Sequence, residues 1–220
     1  MRTATTTDVR RVFDRLADSY DRQMAFWEPL LLPGSRSWAA GQARGRVVEI
    51  AVGTGLNLPL YPDGVTVVGI ELSERMLALA RRRAADLGMA DRVDLRQGDV
   101  QALDLPDGSA DTVVSTFTMC TIPDPLAAAR EAFRVVKPGG RFVLAEHGPA
   151  SNPLLRSAMR LAERATVRTG ADYLTRDPTP YVEQAGFHVD TVTRTRGGIS
   201  FRILATRPPS PAADPGTDGH

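Results

Sequence analysis

The sequence predicts an α/β protein built on a doubly wound, mainly parallel sheet of seven strands. Three observations carry this. Short apolar runs alternate with amphipathic helical stretches between residues 47 and 147, the first run breaks into a glycine-rich turn, and two β-rich segments follow near the end of the chain.

Taken in order, Val9, Val12, Phe13, Leu16 and Tyr20 recur at helical spacing and predict a helix over 8–28. Pro29 and Pro33-Gly34 are expected to interrupt it, with a second short helix reaching about Ala43. Val47-Val48-Glu49-Ile50 reads as a buried strand. Val65–Ile70 is the second strand, and Ser73–Leu87 a helix with Ser73 as N-cap and Gly88 closing it. Arg92–Gln97 and Ala110–Ser115 follow as strands, then a helix over Pro125–Val135 that Lys137-Pro138-Gly139-Gly140 stops. Arg141–Glu146 is the fifth strand. Residues 153–169 and Thr179–Ala185 read as helices, and Phe187–Thr195 with Ile199–Thr206 as a terminal strand pair. The expected organisation is a helical cap over 1–44, a main domain over 45–207 and a disordered Pro/Ala/Asp/Gly tail over 208–220.

Composition narrows the function classes. A net charge of +1 gives no reason to expect a nucleic-acid surface. The single cysteine, Cys120, excludes an internal disulfide. A polar amino terminus unlike a signal peptide, and no apolar run of the roughly 20 residues that span a bilayer, point to a cytoplasmic protein. Peripheral membrane contact stays open, and so does the oligomeric state.

The chemistry centres on Glu49-Ile50-Ala51-Val52-Gly53-Thr54-Gly55. Glycines let a backbone turn tightly and approach a ligand with no Cβ in the way. A dinucleotide fingerprint would place a third glycine where Leu58 stands, and no Gly-Lys-Ser/Thr ending marks a triphosphate loop. Glu71 ends the second strand, where an ionised carboxylate suits two ribose hydroxyls. Asp99, in Gly98-Asp99-Val100, follows the third strand, where it can accept from an adenine amino group. Ser115-Thr116-Phe117-Thr118 follows the fourth. All three lie at carboxyl ends of strands, where open parallel sheets bind ligands.

Glu49–Gly55, Gly69-Ile70-Glu71-Leu72-Ser73, Gly98-Asp99-Val100, Asp111–Ser115 and Arg134–Gly140 resemble, in order, the motifs of class I S-adenosyl-L-methionine (SAM)-dependent methyltransferases, over residues 45–147. The resemblance implies a Rossmann-like seven-stranded sheet with an antiparallel last strand, and SAM as cofactor. It places Glu49, Gly53 and Gly55 around the methionine part of SAM, Glu71 on the ribose, Leu72 and Met76 beside the adenine, and Asp99 near the adenine amine. Ala51, Thr54, Asn57, Val100 and Thr116 complete the expected cofactor-binding set. Ala51 stands where the family usually has glycine, which leads to the expectation of a negative φ there. Phe13-Asp14-Arg15-Leu16-Ala17-Asp18-Ser19-Tyr20-Asp21 resembles the amino-terminal segment of quinone-biosynthesis methyltransferases. Gly55-Leu56-Asn57-Leu58-Pro59, Tyr61-Pro62 and Leu144-Ala145-Glu146-His147-Gly148 are similar to a branch with phospholipid N-methyltransferases and small-thiol S-methyltransferases.

The expected acceptor is therefore a small apolar or amphipathic molecule: a phospholipid amine, a quinone or secondary metabolite, or a thiol. His147 is the candidate general base, facing the acceptor mouth, with a side chain that titrates near neutrality. Tyr20 is the candidate for closing over the SAM site. Glu146 divides between orienting a substrate and pairing with an arginine, and Tyr173, Arg176 and Asp177 are candidates for lining the substrate pocket. Phe26, Trp27, Leu30, Leu31, Leu32 and Trp38, flanked by Arg22 and Arg36, offer an amphipathic segment for a lipid surface. Arg81-Arg82-Arg83 reads as a solvated helix face, Cys120 as a buried core thiol, and no metal-ligand set stands out. A NAD(P)-dependent oxidoreductase is the rival reading. It is opposed by Leu58 and by the absence of a Tyr-x-x-x-Lys pair, Lys137 being the only lysine. A non-catalytic SAM-binding protein is the other.

Overall fold

The computed structural model describes residues 4–170, 172–195 and 197–209, with the side chains of residues 169 and 170 left aside. Most of the predicted tail, residues 210–220, lies outside the described residues. The chain runs α1 (Thr6–Leu31), α2 (Ser35–Gly41), β1 (Arg46–Ile50), a 3-10 turn (Leu58–Leu60), β2 (Thr66–Glu71), α3 (Glu74–Asp86), β3 (Val93–Gln97) and β4 (Ala110–Thr116). It continues with α4 (Pro125–Val135), β5 (Val136–His147), α5 (Pro153–Gly170), α6 (Thr179–Gln184), β6 (His188–Thr195) and β7 (Ser200–Thr206).

Alternation of side chains along each strand builds two apolar layers from one sheet. Val48, Ile50, Val113 and Phe142 pack on Ala128, Ala132 and Val135 of α4 and on Val182 of α6. Val47, Val67, Val114 and Val143 face Ala39 and Ala40 of α2 and Leu77 and Ala84 of α3. The sheet order is β3-β2-β1-β4-β5-β7-β6. The neighbours from β3 to β5 are parallel, and β7 is antiparallel to both β5 and β6. Chain order reverses between β1 and β4, which opens a crevice at their carboxyl ends.

Helix α1 starts at a capping box: the Thr5 hydroxyl accepts from the Asp8 N–H, and Asp8 accepts from the Thr5 N–H. It departs from expectation at its other end, because Pro29 lies inside the helix. In the last turn a proline keeps helical φ and forfeits little beyond its own N–H bond. The break comes instead at Leu32, and Gly34, with φ +65°, makes the turn into α2. Strand β5 also begins earlier than predicted. Val136 pairs with Ala110 ahead of an irregularity in the β4–β5 register, and Lys137-Pro138-Gly139-Gly140 is part of the strand.

Ala51 corrects a second expectation. Its φ is +54°, not negative. The loop around it is pinned on both sides, with the Val52 N–H bonded to the Ile70 carbonyl and the Gly55 N–H to the Val52 carbonyl, each at 3.0 Å. Left-handed backbone at an alanine costs about 1–2 kcal/mol, against roughly 0.4–1 kcal/mol of extra unfolded-chain entropy for a glycine there. Ala51→Gly is therefore expected to raise stability by up to about 1 kcal/mol in denaturant unfolding. Gly55→Ala should destabilise, since its φ is +80° and a Cβ would meet Leu58 Cδ1 at 2.8 Å.

Candidate active site

A cleft with a void of about 760 Å³, its open mouth included, lies at the carboxyl ends of β1, β2 and β4 and the loop after β3. One side comes from the sheet: Ala51, Gly53 and Thr54 after β1, Glu71 and Leu72 after β2, Asp99 and Val100 after β3, and Thr116 through Thr118 after β4. Met76 of α3 adds to that wall. The other side comes from the amino-terminal helices, through Val9, Phe13 and Tyr20 of α1 and Arg36 of α2.

Glu71 shapes the sheet side. It is buried, and its two oxygens accept from the Gly53 N–H at 3.0 Å and the Ser73 N–H at 2.8 Å. One carboxylate thus fixes both the glycine loop and the start of α3. Burial pushes its pKa up, and the backbone donors oppose that shift. An ionised carboxylate has about four acceptor positions, so these two bonds leave others to spare. A Cβ built on Gly53 meets nothing within 4 Å, so the backbone there borders open space. Asp99 accepts from the Gln101 backbone and side chain, and its Oδ2 takes the Thr6 hydroxyl at 3.3 Å.

Arg36 is the hub of the opposite side. Its Nε donates to Glu28 at 2.7 Å, and its Nη1 to Asn57 Oδ1 and Thr116 Oγ1 at 3.2 and 3.0 Å. Asn57 in turn donates to Glu49, which also accepts from the Tyr61 hydroxyl, both at 2.8 Å. The guanidinium lies 4.7 Å from the centre of the Phe117 ring, a residue held at φ +55°. Among the described residues, its buried Nη2 has no well-aligned hydrogen-bond partner, and the Tyr20 hydroxyl lies nearby. Burial raises the Tyr20 phenol, with nearby Arg36 opposing, so Tyr20 stays protonated at neutral pH. Burial also holds Glu49 at about 7.

Three aspartates of α1, Asp14, Asp18 and Asp21, recur at helical spacing and face the sheet side. Asp14 accepts from the Ser73 hydroxyl and Asp18 from Arg75, both at 2.6 Å. Asp21 accepts from Thr54 Oγ1 and from Arg83, which also donates to the Thr54 carbonyl. Arg83 thus clamps the glycine loop to α1 and is no mere solvated charge.

On the β5 side, Glu146 is buried and pairs with no arginine among the described residues. It accepts from Ser115 Oγ at 2.6 Å and from the Thr118 and Met119 N–H groups at 2.8 and 3.3 Å, which shapes the loop after β4. Burial raises its pKa to about 7.

The chain is similar to characterised proteins in sequence and fold. A family model described as a methyltransferase domain matches residues 48–144. Phosphatidylethanolamine N-methyltransferase of Cereibacter sphaeroides is 40% identical over 139 residues, which are 61% of this chain and 68% of that protein. Demethylmenaquinone methyltransferase of Renibacterium salmoninarum is 32% identical over 181 residues, 74% of this chain and 73% of the relative. This chain belongs to the class I SAM-dependent methyltransferases. A solved SAM-dependent methyltransferase of Thermotoga maritima superposes with a TM-score of 0.70 at 25% identity, over 90% of this chain and 99% of that one.

For this methyltransferase, the cleft gathers most of the predicted site residues: Tyr20, Ala51, Gly53, Thr54, Glu71, Leu72, Met76, Asp99, Val100 and Thr116. Four stand elsewhere. Glu49 and Asn57 lie behind the wall in the Arg36 network. Gly55 packs against Leu58 and Ala80. His147, expected to face the acceptor mouth, is not among the residues lining the cleft, and its Nε2 lies 3.3 Å from Asp172 Oδ1. The pocket candidates Tyr173 and Arg176 stack on each other, and Arg176 donates to the Met119 and Ile122 carbonyls, so they brace the loop after β4. Asp177 accepts from the Thr179 N–H. Arg36, Phe13 and Thr121 line the cleft although the sequence does not mark them as site residues, and Phe117 lines it from the segment after β4 that the sequence places at the ligand edge. Arg36 carried no signal, since a single arginine between Ser35 and Ser37 is indistinguishable in sequence from a surface charge.

Glu49 has a testable pH signature. Its folded pKa of about 7 lies above the ordinary 4.5, so between those values the folded state holds a proton that the unfolded chain has released. Raising pH through that window therefore costs stability. Glu49→Gln removes the cost and keeps an acceptor for Asn57. In ligand-free melts its stability relative to the parent should improve steadily from about pH 5 to about pH 7.5.

Proposed function

We propose that this methyltransferase moves a methyl group from SAM to a small apolar or amphipathic acceptor drawn from a membrane surface, a phospholipid amine being the best-supported choice. The observation that carries it is an exposed apolar face beside the cleft. Phe26, Trp27, Leu30 and Leu31 of α1 are solvent-exposed, Phe26 at 66%. They begin about two helical turns beyond Tyr20 on the same helix. Helix α5, which touches α1, buries none of its described side chains and exposes Leu154, Leu155 and Leu161 beside Arg160, Arg164 and Arg168. Apolar side chains flanked by arginines suit an interfacial helix on anionic lipid. Arg36, expected to flank this face, is buried in the hub and does not belong to it. Similarity to a phosphatidylethanolamine N-methyltransferase supports the same acceptor.

The cleft fits SAM on two observations: the buried Arg36 Nη2, with no well-aligned partner among the described residues, and the open backbone at Gly53. Arg36 would take the methionine carboxylate, and Glu71 the ribose hydroxyls with its spare acceptor positions. Leu72, Met76 and Val100 would hold the adenine ring, with Asp99 on its amine. Bound SAM supplies a methyl group on a sulfonium, which a nucleophile displaces in line to leave a neutral thioether. The protein's part is to position the partners and exclude water. Phe13, Phe117 and Ile122 supply the dry wall, and protonated Tyr20 serves as a hydrogen-bond donor.

Two experiments test this. In calorimetry, Arg36→Met should weaken SAM binding about tenfold to a hundredfold, as expected for one charged hydrogen bond. Binding of 5′-methylthioadenosine, which lacks the carboxylate, should hold. Equal loss for both ligands rejects the assignment of Arg36. With labelled SAM, vesicles containing phosphatidylethanolamine should gain label in the headgroup, and a Trp27→Glu/Leu30→Glu double variant should lose vesicle co-sedimentation. Label in a quinone or thiol, with none in the lipid amine, sinks the phospholipid assignment.

A further inference from the structure

Behind the cleft wall, the fold assembles three chemically different donors that the sequence scatters. Cys120 follows β4, His147 ends β5 and Asp172 follows α5. One ligand atom from each, a thiol sulfur, an imidazole nitrogen and a carboxylate oxygen, lies within 4.8 Å of the other two. Glu146 occupies itself with Ser115 and the Thr118 and Met119 amides, and takes no part.

We infer that Cys120, His147 and Asp172 form a binding site for a divalent d-block cation, with zinc as the ion the donor set fits best. Tetrahedral zinc, with bonds of about 2.0–2.3 Å, needs donors roughly 3.5 Å apart. His147 Nε2 and Asp172 Oδ1 already stand at 3.3 Å. Mixed sulfur, nitrogen and oxygen ligation excludes calcium and magnesium, which take oxygen alone. Three protein ligands leave a fourth position open, as in reactive rather than purely structural zinc sites.

The frame is built independently of the donor atoms. The Tyr173 N–H bonds the Cys120 carbonyl at 3.0 Å, so the Asp172 segment is held against the cysteine loop. Thr166 Oγ1 donates to the Asp172 carbonyl at 2.7 Å, and Arg176 holds the Met119 and Ile122 carbonyls on either side of Cys120. Asp172 Oδ1 is buried and faces the His147 imidazole at 3.3 Å, an ion-pair contact that a cation between the two would replace. On binding, the metal–sulfur bond replaces the Cys120 S–H bond and the proton passes to solvent.

Titrating the full-length protein with Co(II) tests this without any substitution. One equivalent should bind per chain, with a near-ultraviolet sulfur-to-cobalt charge-transfer band and visible bands of tetrahedral intensity, all displaced by zinc. Cys120→Ser should abolish the charge-transfer band. Asp172→Asn should weaken zinc at least about tenfold in competition with a chromophoric chelator. His188→Ala, at an exposed histidine outside the cluster, should change nothing. Absence of the charge-transfer band in the parent protein, or zinc affinity unchanged by Cys120→Ser, overturns the assignment. SAM calorimetry on the same samples reports separately on the cleft.

Discussion

The burial of the Arg36 guanidinium is the constraint on which much of this structure depends. A charge removed from water needs partners on every side, and its partners come from separate parts of the chain: Glu28 of α1, Asn57 after the glycine loop and Thr116 at the end of β4. Through Asn57 the network reaches Glu49 and Tyr61. Satisfying one cation therefore fixes the amino-terminal helices against the strand ends and sets the distance across the cleft. The one nitrogen without a well-aligned partner among the described residues belongs to a residue that lines the cleft.

The same economy of groups operates across the cleft. Glu71 holds the glycine loop and the start of α3 with one carboxylate. The aspartates of α1 then bind those two elements from the other side through Ser73, Arg75, Thr54 and Arg83. With so many bonds converging, the loop tolerates Ala51 in a left-handed conformation, and the β4 loop tolerates Phe117 in another. Strain of this kind persists only where surrounding contacts over-determine the backbone. Both residues line the cleft.

Much of the sheet and its ligand edge was legible because strand patterning is local. Val47-Val48 reveals a two-faced buried strand, and Ser73 and Gly88 mark the ends of α3, without reference to anything distant. Glu71 and Asp99 were legible because a parallel sheet puts every strand's carboxyl end on one edge. The errors have equally physical origins. Pro29 reads in sequence as a stop because position within a helix turn is not visible to a residue-by-residue rule. Intrinsic preference favours negative φ at Ala51, and the bonds of Val52 and Gly55 override it. Strand alternation gives His147 a face but not the neighbour, Asp172, that its side chain meets.

The sequence by itself determined the order of elements, the doubly wound sheet, the glycine loop and the acidic residues that follow β2 and β3, since each depends on spacing within one segment. Only the tertiary structure decided that Arg36 is a buried hub, that Arg83 clamps the loop, and that Cys120, His147 and Asp172 meet. These are contacts between segments far apart in the chain, and their geometry follows from how helices and loops pack on the sheet. Residue identity alone does not encode which long-range partner a charge or a thiol will find.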